Sequence, residues 1–282
     1  MLYIILILFI IVIIFLVMTS YKVYKNDKWN YSSEEDWRRN KKKYYKIKNK
    51  KCCLVSGDNR TSEDITLIKD LNQDYCDANG YDFIFYDKED IDDKYQHKYP
   101  PYWWKVAMVY DVMKRSDYDY VMWIDSDACV HDHEVRMERV CPENMIFVMS
   151  SDIDIYKLPE KINFTGEFNA GVWIVRNNNK GKRFMKDWLN MYQSDRWYRK
   201  GDEWTCKYHV LPCMWAGTYY EQGSCYDLMH SSKYSPYILQ LHYNILQGYR
   251  NPNEYSYTIH FCGDSKKYIK QYFFEKNITF SK

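Results

Sequence analysis

A chain of 282 residues, 46% hydrophobic and 28% charged, suits one globular domain of the larger kind with a core of its own. Forty Lys and Arg against thirty-eight Asp and Glu leave a formal net charge of +2, so no overall field draws the protein to nucleic acid. Nine cysteines, an odd number with no C-x-x-C pair, argue against a zinc ribbon or a thioredoxin-type redox motif.

Taken in chain order, the first feature is a nearly unbroken apolar run from Leu2 to Met18, 17 residues, at the short end of what crosses a bilayer. No basic residue precedes it and no small-x-small cleavage site follows, so residues 1–19 read as an uncleaved membrane anchor. Signals for sidedness conflict. Lys22, Lys25, Lys28 and the basic residues through Lys51 lie on the C-terminal side, which by the positive-inside rule would hold the domain in the cytoplasm. The N-x-S/T triplets at Asn30, Asn59, Asn163 and Asn277 are acceptors only in a secretory lumen. A Golgi- or ER-type membrane with a lumenal domain is the preferred expectation. Residues 20–51, rich in Lys, Asn and Tyr without an apolar period, read as a basic stem.

From residue 52 onward strands alternate with helices. Cys52–Ser56 predicts a strand stopped by Gly57, in which Cys52 and Cys53 serve as small buried hydrophobes. A helix follows over residues 63–79, with Thr61 and Asp64 as a capping box, Leu67, Ile68 and Leu71 on its apolar face and Gly80 as its stop. Residues 81–86 predict a second strand, 105–115 a helix with Val106, Val109, Tyr110 and Met113 on one stripe, and 120–124 a third strand. Further strands are expected at 145–150, 172–175 and 257–261, and a helix at 180–193 whose Phe184, Trp188 and Tyr192 face the core. This alternation implies an α/β domain, residues 52–282, built on a parallel sheet whose ligands bind beyond the carboxyl ends of the strands. Cys206, Cys213 and Cys225 are near enough in sequence for one disulfide in an oxidising lumen.

Asp125 and Asp127 fall at such a strand end. Residues i and i+2 of an extended segment point to one side, and two carboxylates that close repel unless protonated or bridged by a cation. Hard divalent ions take oxygen ligands and keep positions open for phosphates, so the pair is a candidate metal-diphosphate site. A second pair, Asp152 and Asp154, also follows a strand, and either pair alone could be a solvated turn. The cluster His131-Asp132-His133 reads as a surface turn in preference to a second metal site.

What distinguishes the first pair is its surroundings. Tyr102-Trp103-Trp104-Lys105, the helix to Arg115, Val121-Met122-Trp123-Ile124-Asp125-Ser126-Asp127-Ala128, the run Phe168-Asn169-Ala170-Gly171-Val172-Trp173, then Glu221-Gln222 and His260-Phe261-Cys262-Gly263 together resemble glycosyltransferase family 34. That family contains galactosyl-, mannosyl- and xyloglucan xylosyltransferases, and the resemblance runs over residues 52–265.

The resemblance implies a GT-A fold, a nucleotide-sugar donor with UDP-sugar first, Mn²⁺ or Mg²⁺, and transfer to a glycan with retained anomeric configuration. It puts Asp125, Asp127 and His260 on the metal, Val55, Ser56, Gly57 and Ser126 near the nucleotide, and Asn169 and Gly171 at the sugar. Lys105 is expected at the donor or at a metal-site carboxylate. Gln222 is the neutral group near the anomeric carbon, or Glu221 a covalent nucleophile. Where the family has Asp-Gln this chain has Glu221-Gln222, and its Cys-Lys after the glycine corresponds here to Gly263 followed by Asp264, Ser265 and Lys266, so Lys266 meets the leaving diphosphate one residue late. Trp103, Trp197 and Trp215 are candidate acceptor contacts. Two rival classes share the acids: a catalytically silent sugar-binding protein, and a metal-dependent phosphodiesterase, which would need a further ligand such as His131. Nothing in the sequence sets an oligomeric state.

Overall fold

The computed structural model describes residues 30–33, 35–37, 50–151, 168–201, 203–207, 217–248 and 252–276. The expected anchor, the Asp152/Asp154 pair, Cys213 and Trp215 lie outside these. Among the described residues no helix is long and apolar enough to cross a membrane.

In chain order the elements are β1 (Asn30–Ser32), β2 (Cys52–Gly57), α1 (Glu63–Asn79), β3 (Asp82–Tyr86), α2 (Lys88–Lys94), α3 (Pro101–Arg115), β4 (Tyr120–Ile124), β5 (Ala128–Val130), α4 (Met137–Val140), β6 (Phe147–Ser150), β7 (Val172–Arg176), α5 (Asn179–Asn190), β8 (Trp197–Lys200), β9 (Glu203–Cys206), α6 (Glu221–His230), β10 (Ile238–Leu241), α7 (Tyr243–Leu246), β11 (Thr258–His260) and α8 (Ile269–Glu275). The first helix is capped one residue later than the sequence suggested. Ser62 is in an extended conformation and its Oγ accepts from Ile65 N at 3.2 Å, while Gly80 closes the helix at φ 68°. Helix α3 starts a turn earlier than its apolar period announces, because Pro101 fits the first turn, where no N–H is needed. That turn draws Tyr102, Trp103 and Trp104 into the helix beside Lys105.

Among the described residues, seven strands form one sheet in the order β1-β10-β6-β7-β4-β2-β3. The expected parallel sheet is instead mixed. β3, β2 and β4 are parallel neighbours, as are β6, β10 and β1, but β7 runs antiparallel between β4 and β6. Reversal of β7 has a local consequence: its beginning, not its end, meets the end of β4, so Gly171 O accepts from Asp125 N at 2.8 Å. The stretch read as stem also enters the fold, supplying edge strand β1 and Trp37, which is buried at 1% exposure against the face that holds Leu54, Met122 and Ile124.

The other face of the sheet is an aromatic core. Phe147, Phe168, Trp173, Phe184 and Trp188 pack with ring centroids 4.8–6.1 Å apart. Phe184 and Trp188, spaced four residues on α5, are the stripe the periodicity announced, and both are fully buried. Trp188 also donates its indole N–H to Glu221 O at 2.9 Å, tying α5 to the start of α6. Trp188→Ala is therefore expected to cost about 3–5 kcal/mol of stability. Trp188→Phe should cost less by retaining most of the buried area, and denaturant unfolding of both variants measures the difference.

Candidate active site

The site begins with β4. All five of its residues are buried between β2 and β7, and the chain leaves this strand through Asp125, Ser126 and Asp127. A turn closed by Ala128 N donating to Asp125 O at 2.9 Å then leads into β5. The acids therefore sit on a turn, not on the extended segment the i, i+2 spacing suggested. Their convergence is completed by a strand from the far end of the chain. β11 pairs antiparallel with β5 in the register His260 opposite Ala128, and Phe261 N donates to Asp127 O at 2.8 Å. This places His260 Nε2 3.2 Å from Asp127 Oδ1 and 3.8 Å from Asp125 Oδ2. Ligand atoms of the three residues lie within 4.8 Å of one another, and among the described residues no other cluster of His, Cys, Asp and Glu has that geometry.

The imidazole is wedged in place. Its Nδ1 is 2.7 Å from Gln247 Oε1 on one side. On the other is Gly171, where an added Cβ would fall 2.5 Å from Nδ1 and 2.9 Å from Asn169 Oδ1. Gly171 is thus required by the histidine, and Asn169 accepts from Gly171 N at 2.8 Å; the two frame His260 where the resemblance expected them at a sugar.

Three cations surround the acids. Lys105 Nζ is 2.8 Å from Asp125 Oδ1, 3.3 Å from Ala170 O and 3.6 Å from Glu221 Oε1. Burial works against the Lys105 charge, but Asp125 and Glu221 outweigh it and hold the ammonium above its ordinary pKa. Lys266, on a 3-10 turn over residues 263–268, reaches Asp127 Oδ2 at 3.0 Å. Gly263 starts that turn at φ 56°, so its contribution is to the backbone path leading to Lys266. Arg60 lies beyond, with Nε and Nη2 bonded to the Asp58 carboxylate at 2.9 and 2.7 Å, and Asp58 in turn accepts from Ser126 Oγ. Burial pushes both Asp127 and Asp58 upward; His260 and Lys266 nevertheless hold Asp127 well below the carboxylate range, and hydrogen bonds from Arg60 and Ser126 lower Asp58. His260, although buried, is raised by Asp127.

Glu221 is different. It is 3% exposed, its Oε2 has no hydrogen-bond partner among the described residues, and burial lifts it to about 7 against the pull of Lys105. A folded-state pKa above the ordinary 4.5 means the folded chain binds more protons than the unfolded one in between, so this group's contribution is lost as pH rises from 4.5 to about 7. In metal-free protein, Glu221→Gln should remove a fall in stability on the order of 3 kcal/mol across that window, read by unfolding at its two ends.

A cavity of about 490 Å³ opens over the acids. It brings together Gly57, Lys105, Asp125, Ser126, Asp127 and Lys266 of the sequence-derived candidates, with Trp104 and Tyr102 on its helical wall. An adjoining hollow of about 270 Å³ shares Arg60, Ser126, Asp127 and Lys266. Gly57 must be small, since a Cβ would stand 3.0 Å from both Tyr86 Cβ and Tyr86 O. Val55 and Ser56 do not reach the cavity: they are 0% and 1% exposed within β2, whose two faces are covered by separate core layers, Val55 clustering with residues of α3 and Leu54 with residues of α1. Gln222 stands behind the wall, its Oε1 accepting from Ala170 N at 3.1 Å and its Nε2 without a partner among the described residues.

Two of the expected acceptor contacts are closed off. Trp103 is fully buried and donates to Tyr219 O, and Trp197 is 4% exposed beneath Tyr102 and Tyr220. Tyr102, 42% exposed, is the ring that reaches solvent there. His131 shares a 2.8 Å hydrogen bond with Tyr272 and does not join the metal cluster, so the extra ligand expected of a phosphodiesterase is not supplied by that residue. Cys225 is a buried free thiol. Sequence reasoning missed Asp58, Arg60 and Gln247. The position of Asp58 straight after Gly57 at a strand end could have marked it, but nothing local marks Gln247.

The mixed α/β sheet, with the two acids at the end of a central strand, is a GT-A glycosyltransferase fold. The fold is shared with a solved glycosyltransferase involved in the glycosylation of the major capsid of PBCV-1, at a TM-score of 0.54 and 13% identity over 78% of this chain and 98% of that one. By sequence the chain belongs to the galactosyl transferase GMA12/MNN10 family, whose profile matches residues 10–211. It is also 30% identical over 144 residues to galactomannan galactosyltransferase 1 of Cyamopsis tetragonoloba, a match covering 49% of this chain and 31% of that protein. The matched stretch thus spans less than a third of that relative's length.

Proposed function

We propose that this chain transfers a sugar from a nucleotide-sugar to a glycan acceptor with retained configuration, using a divalent ion held by Asp125, Asp127 and His260. UDP-galactose is the first donor to test, with xylosyl and mannosyl donors next. One observation carries this reading: three ligand atoms of two acids and an imidazole lie within 4.8 Å of one another beside a 490 Å³ cavity that Lys105 and Lys266 also line.

The donor set fits Mn²⁺ or Mg²⁺, since two carboxylates supply hard oxygens and the imidazole a borderline nitrogen that Mn²⁺ accepts. When bound, such an ion stabilises negative charge on a departing diphosphate. The chain's own residues do the rest. Lys105 fixes Asp125 at the cavity wall, together with the Trp123 indole N–H, which donates to Asp125 Oδ1 at 2.6 Å. Lys266, on the cavity side of Asp127, is placed to meet the diphosphate as its charge develops. Gly57 lets a nucleotide approach the backbone. Glu221, enclosed behind Lys105, is a poor nucleophile in that position, which supports attack by the acceptor from the face the diphosphate leaves, with Gln222, bonded to Ala170 N, as the candidate neutral group near the anomeric carbon.

A screen of nucleotide sugars by thermal shift with Mn²⁺ tests the reading. The true donor at 100 times its Kd should stabilise the fold by ~2.7 kcal/mol and be hydrolysed slowly in the absence of acceptor. A flat response to every donor, with no nucleotide released, would remove the enzymatic reading. A shift without release would leave a sugar-binding protein. We place the domain in the lumen of a Golgi- or ER-type membrane behind the N-terminal apolar segment, and a mobility change on endoglycosidase treatment of the expressed protein would support that placement.

A further inference from the structure

Gln247 touches neither the cavity nor the two acids, yet it is bound twice to His260. Its carbonyl accepts from His260 N at 3.0 Å, and its side-chain Oε1 lies 2.7 Å from His260 Nδ1. The residue follows α7 directly, its own N–H donating to Tyr243 O at 2.7 Å, and it is 1% exposed. Backbone and side chain therefore grip one partner from a fixed point. Gly171 also lies against the ring, close enough that an added Cβ would fall 2.5 Å from Nδ1.

A neutral imidazole carries one N–H and one lone pair, and the group bonded to one nitrogen decides which it is. An amide oxygen can only accept, so it requires N–H at Nδ1 and leaves the lone pair on Nε2, the atom that faces Asp127 and Asp125. The partner that orients a metal-binding histidine in this way is commonly a carboxylate or a backbone carbonyl. Here it is a buried amide, whose Nε2 has no hydrogen-bond partner among the described residues and so draws no competing bond.

We infer that Gln247 is the positioning residue of the metal site, fixing the tautomer and tilt of His260 so that Nε2 is presented as a ligand. The inference rests on the metal reading above. Its test is Mn²⁺ binding by the full chain, followed by electron paramagnetic resonance, for the parent, Gln247→Met and Gln247→Glu. Met preserves length and apolar volume but cannot accept from Nδ1, and affinity should fall 10- to 100-fold. Glu retains an acceptor oxygen and should keep affinity at or above the parent level. Parent-like binding by the Met variant, or binding by Glu as weak as by Met, overturns the assignment. A second measurement needs no variant: ¹⁵N spectra of the parent with diamagnetic Mg²⁺ bound should show His260 with its proton on Nδ1. A proton on Nε2 in that state sinks the inference. A parent that binds neither Mn²⁺ nor Mg²⁺ would instead defeat the metal reading.

Discussion

Asp127→Asn is expected to lower donor turnover by roughly a thousandfold, the upper end of what losing one contact to a developing charge costs. The substitution keeps the shape of the side chain and the turn that carries it. What it removes is the charge that His260 at 3.2 Å and Lys266 at 3.0 Å both address. Mn²⁺ binding should weaken in parallel, because one of three ligands becomes a neutral amide. The fold should persist, since His260 keeps its bonds to Gln247 and β11 keeps its register on β5. Nucleotide release and Mn²⁺ titration on the same preparation measure both effects. A variant that releases nucleotide at more than a small fraction of the parent rate would take Asp127 out of the reacting centre.

The second large effect is expected from a single methyl group. Gly171→Ala puts a Cβ against His260 Nδ1 and Asn169 Oδ1, at 2.5 and 2.9 Å in the undisturbed structure. Neither neighbour can move freely: His260 is 4% exposed and tied to Gln247, and Asn169 bonds the Gly171 amide itself. Overpacking of this kind costs about 1–3 kcal/mol, and here relief requires the imidazole to shift. Stability should fall by that amount and Mn²⁺ affinity with it. A double-mutant cycle identifies the cause: with His260→Ala the cavity left by the ring accommodates the new methyl, so Gly171→Ala should cost far less in that background. Equal costs in both backgrounds would show that the histidine is not what the glycine makes room for.

Much of this site could be read from local patterns, and the manner in which it could be read explains the errors. The run Tyr120 to Ile124 is apolar enough to require burial, and a chain leaving such a strand through Asp-Ser-Asp sets acids at a sheet edge whatever the rest of the fold does. Lys105 stands out by the motif it shares with Trp103 and Trp104, though not by the helix period, which begins only at Val106. The resemblance puts Val55 and Ser56, at the end of a strand, near the nucleotide. That β2 is covered on both faces, by α3 on the side of Val55 and by α1 on the side of Leu54, is not written in its own six residues.

The sequence by itself determined the elements: strands at β2, β4 and β7, helices at α1 and α5 with their apolar stripes, and acids at the end of β4. These follow from side-chain periodicity and from capping, which act over a few residues and survive in any tertiary arrangement. Only the tertiary structure decided the direction of β7, the use of Asn30–Ser32 as an edge strand, and the approach of His260, Gln247 and Gly171 to one another. Those depend on pairing between segments up to 209 residues apart, as in Asn30 with Leu239 of β10, or 132 apart, as in Ala128 with His260. Register across such distances is set by which faces can be buried together, and no local pattern encodes that.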